Sequence, residues 1–218
     1  MGPLKDIKIF DLTRVLAGPH CTQILGDLGA DIIKVERVEN GDDTRKFAPP
    51  FMKDENGKDT DQSAYFSGTN RNKRSITLNL NSPEGQDIAK QLIAKSDILV
   101  ENFKVGTLEK YGLDYDTLKN EFPSLIYCSI TGFGQTGPYS KRPAYDALVQ
   151  AMGGVMSLTG DAKGEPMKVG VSIADLMAGM YGTVSILAAL RHRDKTNEGQ
   201  HLDISMLDAH VAWLANQG

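Results

Sequence analysis

KIFDLTRVLAGPHCTQILGDLGADIIKVE, residues 8–36, carries the pattern from which the fold class is read. KIFDL (8–12) is a short apolar run of the kind a sheet buries. Thr13 to Pro19 form a turn, and a helix follows through Gln23, Ile24 and Leu28 until Gly29 stops it. DIIKVE (31–36) is then a second strand.

Downstream the alternation continues. Arg37 to Asp61 is polar and rich in Gly, Pro and Asp, which predicts a long loop. A short helix over 62–67 and the strand SITLNL (75–80) follow. Ser82-Pro83-Glu84 opens a helix with Pro in its first turn, running to Lys95. DILVEN (97–102) is a strand, two short helices cover 105–111 and 115–122, and SLIYCSIT (124–131) is a strand. Helices are predicted over 145–152 and from Ser172 onward. HLDISM (201–206) is the last strand and 207–215 the last helix. Such alternation predicts an α/β fold, an open and mostly parallel sheet with helices on both faces. Ligands of these sheets sit at the carboxyl ends of the strands.

The 218 residues are 40% hydrophobic and 24% charged, enough for a substantial core in one large domain. A net charge of −4 offers no basic face for nucleic acid. Cys21 and Cys128 lie far apart without a CxxC partner, which points away from zinc and disulfides and toward a reducing compartment. The N-terminal residues lack the apolar core of a secretory signal.

VSIADLMAGMYGTVSILAAL (171–190) contains one charge, Asp175, in a helix that reads as buried on nearly all sides. Its length suits a membrane span, but an acid near the bilayer centre costs roughly 2.5–3.5 kcal/mol, so a buried core helix is expected instead. Ser172 and Asp175 fit a capping box, with Ser172 as N-cap and Asp175 folding back as N3. A carboxylate at the positive end of a helix dipole equally suits a nucleophile, and the two readings are compatible.

Gly132-Phe-Gly134-Gln-Thr-Gly137 matches the dinucleotide fingerprint, yet Pro138 and the polar YSKRP stand where its helix should begin. A glycine-rich loop shaping a pocket is the expectation. Arg71, Lys73 and Arg74, with Lys104 and Lys110 and with Lys141 and Arg142, read group by group as solvated surface. So do Asp42 and Asp43. His20, His192, His201 and His210 lack metal-ligand spacing and are expected to be structural, with no metal site. Arg37, where the second strand runs out, is placed to meet a phosphate.

DLTRVLAGP (11–19), LGDLGADIIKVE (25–36), NRNKRSITLNL (70–80), DILVENF (97–103), IYCSITGFGQTGP (126–138), AYDALVQAMGG (144–154) and the Asp175 helix occur in one order. This set resembles the family III CoA-transferases, the group that includes formyl-CoA:oxalate and succinyl-CoA:glutarate or carnitine transferases and α-methylacyl-CoA racemase. The resemblance implies a Rossmann-like sheet and a reaction in which Asp175 is the nucleophile. It implies acyl-CoA and a small carboxylate, especially a dicarboxylate, as substrates, with no permanently bound cofactor. Coenzyme A would lie along Val15 and Ala17, with Arg37 on a phosphate, Leu78 near adenine, and Asn102, Phe103, Lys104 and Lys110 along the remaining length. Leu16, Phe47, Tyr65 and Tyr145 would line the substrate pocket. Leu16 stands where oxalate-specific members carry Gln, and Tyr145 where racemases carry a His base. Racemase and a non-catalytic CoA-binding fragment are therefore the alternatives. Family members continue for about as much sequence again and form interlocked homodimers. The resemblance thus makes residues 1–218 the N-terminal part of the large domain, without the small domain, in a cytoplasmic or mitochondrial-matrix protein.

Overall fold

A computed structural model describes residues 2–217. β1 (Lys8–Asp11), α1 (Ala17–Asp27) and β2 (Asp31–Glu36) form the expected first crossover, with Phe10 opposite Ile33 in a parallel pair. Then come β3 (Phe51–Lys53), β4 (Asp59–Ser63), α2 (Ala64–Asn70), β5 (Lys73–Thr77), α3 (Pro83–Ile93) and β6 (Ile98–Glu101). α4 (Tyr115–Glu121), β7 (Ile126–Thr131), α5 (Asp146–Met152), α6 (Ile173–Thr196), β8 (His201–Ser205) and α7 (Met206–Val211) complete the series.

Six strands pair in parallel in the order β5-β2-β1-β6-β7-β8. Alternation along each strand divides the core in two. Ile9, Ile98, Val100, Ile126 and Cys128 pack with Cys21 and Leu25 of α1 and with Ala178 and Ile186 of α6. Phe10, Leu99 and Tyr127 face the opposite layer, where Ala89 and Ile93 of α3 and Leu118 of α4 cover them. The chain winds one way from β1 and the other way from β6, so α1 and α4 lie on opposite faces. The connections leaving β1 and β6 therefore part, and a crevice opens at the carboxyl ends of these neighbouring strands.

Two expectations need correction. The stretch 37–61 is not all loop: β3 and β4 pair antiparallel, and the Asp54 carboxylate closes their turn by accepting from the Asn56 and Lys58 amides. Short polar strands give no apolar alternation to read. α6 is not buried all round. Ala174, Ala178, Gly179, Gly182, Ile186 and Ala189 are buried, whereas Met180, Tyr181, Val184 and Leu187 are exposed. Hydropathy along a helix does not reveal which of two apolar faces is covered. α6 is long and apolar enough by length and composition to cross a membrane, and in this fold it packs against α1, β7 and β8. A Cβ on Gly179 would sit 2.7 Å from the Ala17 carbonyl oxygen, so only glycine permits this approach of α6 to α1.

Candidate active site

The loop between β1 and α1 is built on a strained residue. Val15 has φ +69°, and the other non-glycine residues described with positive φ are Asn72 and Asn197. Asn tolerates the left-handed region, but a β-branched residue there costs on the order of 1–3 kcal/mol and must be held by its surroundings. Side chains distant in sequence do the holding. Lys34 Nζ donates to the Thr13 carbonyl at 2.8 Å. The Asn102 carboxamide accepts from the Arg14 N–H at 2.9 Å and donates to the Arg14 carbonyl at 2.7 Å. Asp42 Oδ1 accepts from the Val15 N–H at 3.3 Å.

Asp175 lies in the first turn of α6, but the expected capping box does not form, because the Ser172 side chain caps nothing. Asp146 at the start of α5 replaces it: its Oδ1 accepts from the Ala174 N–H at 2.9 Å, while Gln150 Nε2 holds its other oxygen at 2.7 Å. With the helix end satisfied by a neighbour, Asp175 faces the start of α1, where the Ala17 N–H favours its ionised form. Burial pushes the Asp175 carboxyl up to about 7. The Asp146 charge adds to this rise and the Ala17 N–H opposes it.

Asp175 lines a cavity of about 210 Å³ together with Val15, Leu16, Ala17, Asn102, Phe103, Lys104, Arg142 and Tyr145. A larger cavity of about 550 Å³, lined by Leu12, Arg14, Arg37, Leu78, Phe103 and Tyr111 among others, lies over the ends of β1, β2 and β5. Arg14 and Phe103 line both, with the Arg14 guanidinium carbon 5.4 Å from the Phe103 ring centre. Arg14 and Arg37 share one counterion, Asp43. The two cavities thus present a buried acid in a recess that also holds Lys104 and Arg142, beside a wider space walled by Arg14 and Arg37.

The model of CoA-transferase family III matches residues 4–218. The chain belongs to that family. It is 51% identical to succinate–glutarate CoA-transferase of Agrobacterium fabrum, over 99% of this chain and 54% of that protein. It is 45% identical to succinyl-CoA:mesaconate CoA-transferase of Haloarcula marismortui, over 97% of this chain and 54% of that one. Among solved structures, a CAIB/BAIF family protein from Brucella suis is 50% identical with a TM-score of 0.94, covering 99% of this chain and 56% of that one. The chain therefore spans about half the length of the curated relatives it matches.

In this family III chain, nine of the site residues inferred from sequence line one cavity or both: Val15, Leu16, Ala17, Arg37, Leu78, Asn102, Phe103, Lys104 and Tyr145, together with Asp175. Three do not line either. Lys110 holds its ammonium over the Tyr111 ring, 4.6 Å from its centre. Phe47 and Tyr65 meet edge to face at 5.6 Å. Burial first, then the Asp175, Asp42 and Asp146 carboxylates, push the Tyr65 phenol up to about 12.

Two charges read as solvated are buried. Asp42 forms a 2.8 Å ion pair with Lys34, both side chains almost fully enclosed. Burial alone would raise its pKa, but Lys34 and the Thr44 hydrogen bonds more than offset that and hold it low. Lys73 is enclosed likewise, 3.2 Å from Asp11. Asp146 had no signal beyond its place in AYD, since its role depends on α5 meeting the end of α6. Glu101 was also missed. It is buried at the end of β6, is pushed up to about 7 by that burial, and accepts from the Phe103 N–H at 2.7 Å. The glycine loop opens no phosphate-cradling helix, because the next helix is α5. Gly132 instead lines the Asp175 cavity, where a Cβ would meet the Ala144 methyl at 2.3 Å. No cluster of three His, Cys, Asp or Glu side chains suited to a metal occurs among the described residues.

Proposed function

We propose that this family III CoA-transferase moves coenzyme A from an acyl-CoA to a small dicarboxylate, with Asp175 as its nucleophile. The observation that carries the reading is the Asp175 carboxylate in a recess sharing Arg14 and Phe103 with the larger guanidinium-lined cavity. A phosphate-bearing nucleotide suits the larger cavity, where Arg37 and Arg14 exchange Asp43 for phosphate oxygens. The pantetheine arm passes Phe103 and brings the thioester to Asp175.

A carboxylate oxygen of Asp175 attacks the thioester carbonyl carbon. The C–S bond breaks, CoA leaves as thiolate, and a mixed anhydride joins Asp175 to the acyl group. The thiolate returns to the aspartyl carbonyl carbon, expelling the donor acid and leaving an aspartyl-CoA thioester. An acceptor carboxylate attacks that carbon and releases thiolate again, and the thiolate then takes the acceptor acyl group from the second anhydride. Asp175 is restored as carboxylate. Burial keeps water from the anhydrides, and Lys104 and Arg142 on the cavity wall are the cations available to an acceptor's second carboxylate. The names of relatives acting on glutarate and mesaconate support this acceptor class.

The test is to incubate the protein with succinyl-CoA, quench with hydroxylamine and map the modified peptide by mass. The expected product is a hydroxamate at residue 175 and no transfer by Asp175→Ala. Exchange of CoA between carboxylates at the parental rate in that variant would overturn the assignment. Deuterium entering the α-carbon of a 2-methylacyl-CoA without transfer would instead identify a racemase.

A further inference from the structure

We propose that Asp42 is a positioning residue for the nucleophile: from beneath the β1–α1 loop it holds Val15 in its left-handed conformation and so fixes the Ala17 N–H on Asp175. This rests on the functional reading above, since it concerns how Asp175 is held for attack. Four observations carry it.

Val15 is the one β-branched residue with positive φ among those described. Nothing in its own sequence favours that conformation, so an outside partner must impose it. Asp42 supplies the partner, because its Oδ1 takes the Val15 N–H while also accepting from the Thr44 N–H at 3.0 Å and the Thr44 hydroxyl at 2.8 Å. Asp42 is itself anchored, with Oδ2 on Lys34 at 2.8 Å and its own N–H on Glu36 Oε2 at 2.8 Å. Lys34 closes the ring by binding the Thr13 carbonyl. Finally, Asp42 does not line the Asp175 cavity, so it touches neither thioester nor acceptor there.

One residue separates Val15 from the end of this clamp that matters. Leu16 is the N-cap of α1 and Ala17 its first residue, so the φ of Val15 sets the direction in which α1 begins and its Ala17 N–H points. A loop relaxed to negative φ turns that N–H away from Asp175. The buried Lys34–Asp42 pair is therefore a second layer behind the nucleophile, acting only through the backbone.

The test compares Asp42→Ala, Asp42→Asn, and Asp42→Ala combined with Val15→Gly in succinyl-CoA-dependent transfer. Asp42→Ala is expected to lower kcat about tenfold or more, while KM for acyl-CoA stays within about threefold. The acidic limb of its kcat/KM profile should move to higher pH, because Asp175 has lost the donor that favours its ionised form. Asp42→Asn keeps an acceptor for the Val15 N–H and should recover part of the rate. Val15→Gly removes the strain that the clamp opposes and so offsets part of the cost of leaving the enclosed Lys34 ammonium without its counterion. Asp42→Asn, which keeps the acceptor, carries the pH-profile test where the alanine variants do not fold. The double variant should still be slow, with the shifted limb. Parental acylation of Asp175 by the double variant, a loss confined to KM, or a lower kcat with an unmoved limb each overturns the inference. The functional reading fails separately: it falls if Asp175→Asn still transfers CoA, whatever Asp42 does.

Discussion

At the scale of single residues, Asp175 is held between opposing demands. The proposed nucleophilic role asks for an ionised Asp175, but burial and the Asp146 charge favour its neutral form and raise its carboxyl to about 7. A folded-state value above the unfolded one means that the native chain binds this proton more tightly. The resulting stability is complete below the unfolded carboxylate range near 3.8 and is lost as pH rises through about 7. Asp175→Asn, which cannot ionise, should therefore be inactive yet more resistant to urea than the parent at pH 8, and nearly equal to it at pH 4. At ~1.4 kcal/mol per pKa unit the gap at pH 8 has an upper bound of about 4 kcal/mol. Equal urea midpoints at both values would contradict it. Asp146→Asn removes the neighbouring charge while its amide oxygen can still accept from the Ala174 N–H. The acidic limb of the rate profile should then move to lower pH, and a limb that stays put would show that Asp146 does not act on Asp175 through its charge.

At the scale of elements, the site depends on how closely α6 lies against α1. Gly179 makes that contact, since a methyl there would meet the Ala17 carbonyl oxygen at 2.7 Å and His20 Cδ2 at 3.1 Å. The first obstacle is backbone and cannot rotate away. Gly179→Ala should cost about 1–3 kcal/mol of stability by forcing the helices apart, despite the better helix propensity of alanine. It should also lower kcat, because Asp175 and its donor Ala17 sit on the two helices being separated. A thermal melt read beside transfer kinetics checks both; an unchanged or higher Tm with normal kcat would show that the crossing has room to spare. The glycine was visible in the sequence as a small residue at helical spacing. Its partner on α1 was not, because helix crossings are set by tertiary packing. The capping box failed for a related reason: Ser172 and Asp175 have the required spacing, but Asp146 arrives from another helix and satisfies the Ala174 amide.

At the scale of the whole molecule, the proposed function has the strand order separate binding from chemistry. The larger cavity spreads over β1, β2 and β5, and the smaller one lies toward β7 and α6, with Arg14 and Phe103 between them. On the proposed reading, groups in the former hold parts of CoA remote from the reacting carbon, so their loss should weaken ground state and transition state alike. Arg37→Ala is expected to raise KM for acyl-CoA about tenfold with kcat nearly unchanged. The same variant should respond less to a donor thioester lacking the nucleotide. A large fall in kcat with constant KM would remove Arg37 from the nucleotide cavity.

The sequence by itself determined the crossover units, the sheet with helices on both faces and the place of Asp175, because these follow from local periodicity, turn residues and an ordered set of motifs. Most of the CoA-contacting positions that the family resemblance implies line the two cavities, and they fall just beyond strand ends. Only the tertiary structure decided that Asp146 takes over the helix cap, that Lys34 and Asp42 are a buried pair, that Val15 is left-handed, and which side of α6 is covered. Each of those depends on groups brought together from distant parts of the chain, and a hydrogen bond or a strained dihedral leaves no period in the sequence from which to read it.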